Sequence, residues 1–555
     1  PPAGIVVSPV TLADTVGVFN DSDGNQLCQL DMDAVHYLNY VKLDILGLQT
    51  LQILRDTCGY VGIPFPKTKD IDFDNADVWD DITKSQTGIF QFESQFASQA
   101  LAKFKPRSIQ DLSILTAVLR PGSASFRDDV LKRNIYKNPS SALDKLFENT
   151  YGRLIFQEDV TKFLMEICGF SGSDADTIRR AIGHKDEKAI QDAMPQILKG
   201  YIEHSDKDEE VAAEEAKEFL QVMSDSSSYA FNLGHACSYS IVSFLCAYMR
   251  CYHPEEFITA YLNNAKTQDD IMNGTELAKT YGITVLPPKF GVSRAEYNFD
   301  KEAHKIYKGI ASVKYCNPTI AEELYAVYTE HRLDATNSFM TVLCAITRHT
   351  SIDVRQTDIL IKVGYFEQYG TIKRLLAIHK AFLDLNCGSV ASINKERIPE
   401  YLLGIDIGAF ADDRKKDGSA GKTWKVTDVD GMLNAVEAKI HIDVVADVDM
   451  KDKMLWQTEY LGYVQMATGR QEDLRKLLVN KVTPLISKTG RLVGKPWNYR
   501  LDITSVGTGH SATIYAMARL FDRMPIQNGD VIFVPKGGLL KNDKGYWNTL
   551  EYSIL

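Results

Sequence analysis

The sequence predicts a multidomain α+β protein, and three observations lead there. At 555 residues the chain is too long for one ordinary core, and length alone gives about three to four domains. Apolar periodicity changes along it, from strand-like alternation near the start, through a long middle block with helical spacing, to short strands between turns at the end. The composition, 45% hydrophobic and 24% charged, supports packed cores rather than disorder.

Residues 1–60 form the first segment. "AGIVVSP" is a short apolar strand, "DSDGNQ" a turn and "VKLDIL" a second strand, after which Gly47 breaks the pattern and a helix begins. Val41, Leu43 and Ile45 alternate as if facing a core, which puts Lys42, Asp44 and Leu46 on the opposite face. Asp44 is therefore either solvated or held for a reason. Residues 61–265 are helical, with periodic apolar positions in "ALAKFKPRSIQDLSILTAVL", "VAAEEAKEFLQVM" and "SIVSFLCAYMRCY". Residues 266–385 include "YGITVLPPKF", a strand ended by two prolines, and continue as helices. Residues 386–475 are linker-like, with polar runs such as "ADDRKKDGSAGKT" between short strands. Residues 476–555 alternate strands and turns, which suggests a small β-barrel.

Several classes of function drop out early. A net charge of −11 argues against nucleic-acid binding over a wholly basic surface and leaves room for a local basic cleft. Nine cysteines, an odd number with no C-x-x-C pair, read as reduced cytosolic thiols. The longest apolar run, "SIVSFLCAYM", falls short of the roughly 18 residues a membrane span needs. "PPAGIVVSPV" has neither an initiator Met nor a basic, cleavable leader, and reads as a cut end.

Chemistry concentrates in the middle block. In "SGSDADTIRRAIGHKDE", Ser173 and Asp176 fit a capping box, which puts Arg179 and Arg180 in the second turn with Gly183, His184 and Lys185 beyond. Two guanidiniums and an ammonium suit an anion such as a triphosphate. The alternative is an Asp176–Arg180 pair one turn apart, with Arg179 solvated. "FNLGHACSYS" sets Asn232 and His235 ahead of a long apolar helix, where His235 either meets a phosphate or base or belongs to a capping cluster. "GIFQFES" and "LRPG" add Gln91, Glu93 and Arg120 at loop or helix edges. Two stretches are decoys. "DIDFD" would align Asp70, Asp72 and Asp74 for metal binding if it were a strand, but it follows a proline-rich turn and reads as a solvated linker. "QTDIL" (356–360) resembles peptides that dock on sliding clamps, yet its amphipathic setting favours core packing.

In this order the pieces resemble the bacterial C-family replicative DNA polymerases of the polymerase III α type. "PPAGIVVSP" is similar to that family's H-A-A-G-V-V strand, and "QLDMDAVHYLNYVKLDILGL" to its third catalytic carboxylate segment. "GIFQFES", "LRPG", "YGRLIFQE", "TIRRAIGHK", "FNLGHACSYS", "VLPPKF", "LIKVGYFEQYG" and "EYLGYVQMATG" follow in register. The resemblance implies a partial palm of the polymerase β-like nucleotidyltransferase type over 1–60 and large α-helical fingers over 61–265. It implies a helical little-finger or duplex-binding region with a degenerate helix-hairpin-helix over 266–385, a connecting region over 386–475 and an OB-fold over 476–555.

By the same resemblance, Asp44 is a catalytic aspartate that helps hold two Mg²⁺ ions. Arg120, Arg179, Arg180, Lys185, Asn232, His235 and Tyr239 contact the incoming dNTP, while Lys314, Trp497, Tyr499 and Tyr515 contact nucleic acid. The implied partners are primer–template DNA, dNTPs, a sliding clamp and an N-terminal polymerase part that carries two further palm aspartates in a P-D-x-D-x-D-F segment. No membrane is involved, and the implied location is the bacterial cytosol or nucleoid, or a phage-infected host. Three departures stand out. These 555 residues hold one of the three metal carboxylates, Leu233 takes the place of a family lysine, and Tyr315-Cys316-Asn317 replace the G-x-G of the hairpin. With no convincing clamp-binding peptide in 386–450, they suggest a divergent, phage-encoded or split enzyme, or else a non-catalytic DNA-binding scaffold subunit derived from such a polymerase.

Overall fold

The computed structural model describes residues 4–555 apart from 23, 45–46, 185, 228–229, 386–391, 415–417, 441–446, 463, 465–469, 488–493, 510 and 543–545. For His36, Asp44, Ser227 and Gln268 only the backbone is described. The chain divides into two compact units, Pro1–Cys251 and Tyr252–Leu555.

The first unit begins with a two-stranded antiparallel ribbon, Gly4–Val7 against Val41–Asp44, with Gly4 opposite Asp44 and Val7 opposite Val41. A hairpin, Val18–Asn20 with Gln26–Cys28, lies between them in sequence. The expected strands are present, but the expected burial of their apolar face is not. Ile5, Val7, Val41 and Leu43 are 53, 47, 56 and 49% exposed. Alternation fixes which residues share a face, whereas burial requires a second layer. Among the described residues 4–52, Val35 is the one buried side chain.

Helices follow, most of them started by a side-chain cap. Asn75, Ser94 and Ser108 accept from the backbone N–H groups of Val78, Ala97 and Asp111 and open the helices Ala76–Lys84, Gln95–Phe104 and Ile109–Val118. "DIDFD" is an irregular approach to the first of these, with Asp70, Asp72 and Asp74 exposed and Asp72 accepting from the N–H of Asp74 at 3.0 Å. A second layer, Gln157–Glu166, Gly172–His184, Glu187–Glu203 and Glu209–Ser227, packs around Phe163, Ile197, Tyr201 and Phe219. Gly200 permits that packing, since a Cβ there would stand 2.4 Å from the carbonyl oxygen of Ile167. The 20-residue helix Leu233–Tyr252 is fastened near its end by Arg250, whose Nε donates to Asp81 at 2.9 Å in a fully buried ion pair.

The second unit opens with the helices Pro254–Asn263 and Gln268–Thr280 and a small sheet in which Thr284–Leu286 runs parallel to Lys305–Tyr307. The helices Pro318–Glu330, Phe339–His349, Val354–Lys362 and Ile372–Asp384 surround a core that includes Phe290, Leu343, Leu360 and Phe366. "QTDIL" lies in the third of these, with Thr357, Ile359 and Leu360 buried. The region after 391 carries a three-stranded sheet, Ser392–Asn394, Ala420–Val426 and Ala411–Arg414, and the helices Val429–Lys439 and Met450–Leu461. The end of the chain forms one seven-stranded sheet built on the long pair Lys476–Ile486 and Pro496–Ser505. Among the described residues no helix is long and apolar enough to cross a membrane.

Candidate functional site

In the first unit two helix starts are tied together across 75 residues of sequence. Phe156 and Phe231 form a parallel bridge, with Phe231 N–H donating to the Ile155 carbonyl and Gln157 N–H to that of Phe231, both at 3.0 Å. The helices that follow, Gln157–Glu166 and Leu233–Tyr252, therefore begin side by side. Glu158 exploits this by accepting from Leu233 N–H at 2.8 Å and Asn232 Nδ2 at 2.9 Å. Asn232 caps its own helix, accepting from His235 N–H at 2.7 Å. Asp159 caps the other, accepting from Ile155 and Phe156 N–H, and burial pushes its carboxyl up to about 6.

Beside these starts lies an open cleft of about 420 Å³, lined by Gln157, Glu158, Lys162, Asp176, Arg179 and Asn232 among others. Asp176 bridges both arginines. Its Oδ1 accepts from Arg179 at 2.8 Å and its Oδ2 pairs with Arg180 at 2.8 Å, which holds its carboxyl below the usual carboxylate range. The Asp176–Arg180 pair is the one anticipated from spacing. Arg179 is not solvated, however, because it also donates to Gln157 Oε1 at 3.3 Å and is 22% exposed, against 68% for Arg180. The helix itself begins earlier than expected. Ser171, not Ser173, is the cap, with its Oγ accepting from Asp174 N–H at 3.2 Å. Both serines have an aspartate three residues on, and the earlier one wins because Gly169, at φ +72°, has just ended the preceding turn. Lys185 lies outside the described residues.

An aromatic ladder runs along the same helix start. The Arg120 guanidinium sits 4.8 Å from the Phe231 ring, Phe231 lies 5.2 Å from His235, His235 3.9 Å from Tyr239, and Tyr239 5.1 Å from Phe90. Arg120, Asn232, His235 and Tyr239 are thus gathered at one helix start. Glu158, Phe231 and Phe90 join them; each lies in a quoted stretch, "YGRLIFQE", "FNLGHACSYS" and "GIFQFES", but was not singled out there. It is the Phe156–Phe231 bridge that sets Glu158 beside Asn232, and the Ser243 hydroxyl, donating to the Phe90 carbonyl at 2.9 Å, that holds Phe90.

In the second unit Lys314 is half exposed, 4.0 Å from Glu459 and 5.1 Å from the centre of the Tyr315 ring. Tyr315 holds φ +71° and carries Arg355 on its ring at 3.6 Å. On the final sheet Trp497, Tyr499 and Tyr515 line one broad concave surface with Met517, Arg519 and Tyr546. Tyr499 has one face occupied by Phe521, stacked at 3.7 Å, whereas Trp497 is half exposed. Asp44 closes the strand opposite Gly4, and its side chain lies outside the described residues.

Residues 50–205, which contain Arg120, Glu158, Asp176, Arg179 and Arg180, match the bacterial DNA polymerase III alpha subunit finger domain. That segment is therefore similar to a part of the bacterial DNA polymerase III alpha subunits. The chain is 28% identical to the DNA polymerase III subunit alpha of Aquifex aeolicus over 381 residues, 66% of this chain and 32% of that protein. The same subunit of Thermus aquaticus gives 28% over 391 residues, 68% of this chain and 31% of that protein, and that of Thermotoga maritima 30% over 417 residues, 75% and 46%. This chain is a relative of the DNA polymerase III alpha subunits, and it spans about a third of the length of the first two relatives.

Proposed function

We propose that this chain supplies the nucleotide-selecting part of a DNA-directed DNA polymerase, adding dNTPs to a primer 3′-hydroxyl under the direction of a template. The single observation that carries the reading is the cleft at the paired helix starts. Asp176 clasps two guanidiniums there as an oxyanion would, and the cleft lies within the segment related to polymerase fingers. An incoming triphosphate exchanges with that carboxylate, since a phosphate offers the same forked geometry with more charge. By the resemblance Lys185 adds a third cation, and Asn232, His235 and Tyr239 flank the sugar and base, while Arg120 lines a separate pocket.

Two Mg²⁺ ions would activate the 3′-hydroxyl and stabilise the departing pyrophosphate. Asp44 fits as one hard oxygen donor of a shared set. Among the described residues no three His, Cys, Asp or Glu side chains could hold a metal by themselves. In this reading an N-terminal polymerase part brings the other two aspartates. The exposed apolar face of the Gly4–Val7 ribbon supports it, because such a face calls for a covering layer. The concave surface around Trp497 and Tyr515 then serves as an OB-fold that binds single-stranded template, and Lys314 contacts the duplex.

A second reading, a non-catalytic DNA-binding scaffold, is favoured by Leu233 in the place of a family lysine and by Tyr315-Cys316-Asn317, with Tyr315 at φ +71°, in the place of the hairpin glycines. Primer extension with Mg²⁺ separates the two. The chain is assayed alone and then mixed with a polypeptide carrying a P-D-x-D-x-D-F segment. Extension in the mixture that Asp44→Ala abolishes supports the polymerase, whereas DNA binding without extension in either sample supports the scaffold.

A further inference from the structure

A second pocket, of about 310 Å³, lies where the loop 88–93 meets the end of the helix Ile109–Val118, and Gln91, Ser94, Phe96, Thr116 and Arg120 line it. Gln91 holds φ +66°, a region that costs a side-chain-bearing residue energy, and its amide has no hydrogen-bond partner among the described residues. Arg120 rests its guanidinium over Phe231 with no acceptor among the described residues, while its backbone is fixed by Arg127, whose NH2 donates to the Arg120 carbonyl at 2.7 Å. Phe96 is 51% exposed, with the Arg127 guanidinium 5.0 Å from its ring. One hollow thus gathers an available aromatic face, an amide that both donates and accepts, and an unspent fork of donors.

Stacking joined to a cation is how single-stranded nucleic acid is held, and an amide can read a base edge through a donor–acceptor pair. Arg127 is spent on the carbonyls of Val118 and Arg120, which leaves the Arg120 guanidinium to meet a phosphodiester, whereas beside the neighbouring cleft Arg179 and Arg180 share Asp176 in a pair that suits a triphosphate. We infer that this pocket takes one unpaired nucleotide of the template strand, with its base against Phe96 and Gln91 and its phosphate on Arg120. The assignment rests on the polymerase reading above and adds a place where the template leaves its stack.

The test compares the full chain binding a fluorescent primer–template with a 5′ template overhang and the matching blunt duplex, by anisotropy. Phe96→Ala and Gln91→Ala each lower affinity for the overhang DNA, by roughly 5- to 100-fold for the stacking residue, and leave the blunt duplex unchanged. A 2-aminopurine at the first unpaired template position loses its stacked fluorescence signature in the same variants. Equal losses on both DNAs, or no overhang-dependent affinity in the unsubstituted chain, overturn the inference. Weaker binding of a free dNTP to Phe96→Ala without DNA reassigns the pocket to free nucleotides and overturns the template source. Arg179→Ala, which probes the triphosphate cleft, leaves the overhang measurement unchanged, so failure of either reading is visible separately.

Discussion

Asp81→Ala tests how the long helix beneath the cleft is held in place. Arg250 and Asp81 are both fully buried, and the guanidinium makes four bonds: Nε to the Asp81 carboxylate, NH2 to the Asp81 carbonyl at 2.7 Å, and NH1 to the carbonyls of Ser85 and Thr87 at 2.8 and 2.7 Å. Removing the carboxylate leaves a buried cation among carbonyls, and breaking such a pair costs about 3–5 kcal/mol. Asp81→Asn retains an oxygen for Nε–H and loses only the charge, so its cost falls to roughly 1.5–3 kcal/mol. Arg250→Met is the most damaging of the three, because it takes the buried partner from the carboxylate, which keeps Lys84 at 3.8 Å, and frees the carbonyls of Ser85 and Thr87 together. Hydrogen exchange read by mass spectrometry on Ala76–Lys84 and Leu233–Tyr252 measures this directly. With tenfold for each 1.4 kcal/mol, Asp81→Ala should speed exchange there by roughly a hundredfold or more. If Asp81→Asn proves as costly as Asp81→Ala, or Arg250→Met milder than both, the account of the bond network is wrong.

Three further outcomes are expected. The Asp159 carboxyl, pushed up to about 6 by burial, binds its proton more tightly folded than unfolded, so the stability it contributes is full below its unfolded value and is lost as pH rises through about 6. Asp159→Asn should flatten the pH dependence of exchange in Gln157–Glu166 between about pH 4 and 6, by up to about 3 kcal/mol; an unchanged profile would clear Asp159 of that role. Gln91→Gly should raise the thermal midpoint through relief of the left-handed strain, by up to about 1 kcal/mol, while it weakens overhang binding; stability that falls instead contradicts the strain argument. Arg180→Ala should weaken equilibrium dNTP binding roughly 10- to 100-fold without loosening the helix Gly172–His184, whereas Arg179→Ala, which also loses Gln157, should do both.

The helical character of the middle block was legible from apolar spacing, which is a local signal, but "ALAKFKPRSIQDLSILTAVL", read as one stretch, is two helices, Gln95–Phe104 and Ile109–Val118, parted where Lys105 takes φ +50° and Ser108 caps the second. Ser171 and Ser173 show the limit: each offers the same cap pattern, and the choice was made by a glycine upstream. Arg179 and Arg180 were readable as a cationic pair, but one carboxylate serving both was only half visible, since spacing alone pairs Asp176 with a single partner. The contact between Glu158 and Asn232 depends on the Phe156–Phe231 bridge, and no local pattern announces a contact across 75 residues. Val41 and Leu43 were assigned to the right shared face and the wrong surroundings, because alternation carries no information on what lies above a strand.

That last point has a practical side. The ribbon Gly4–Val7 with Val41–Asp44 is joined by no third strand among the described residues, under a row of branched aliphatic side chains. An uncovered, hydrophobic strand edge is a template for strand addition between copies. A purified preparation should therefore turn turbid with rising concentration and clear when a covering polypeptide is supplied, so that light scattering, measured before any enzymology, reports whether this face has found its cover.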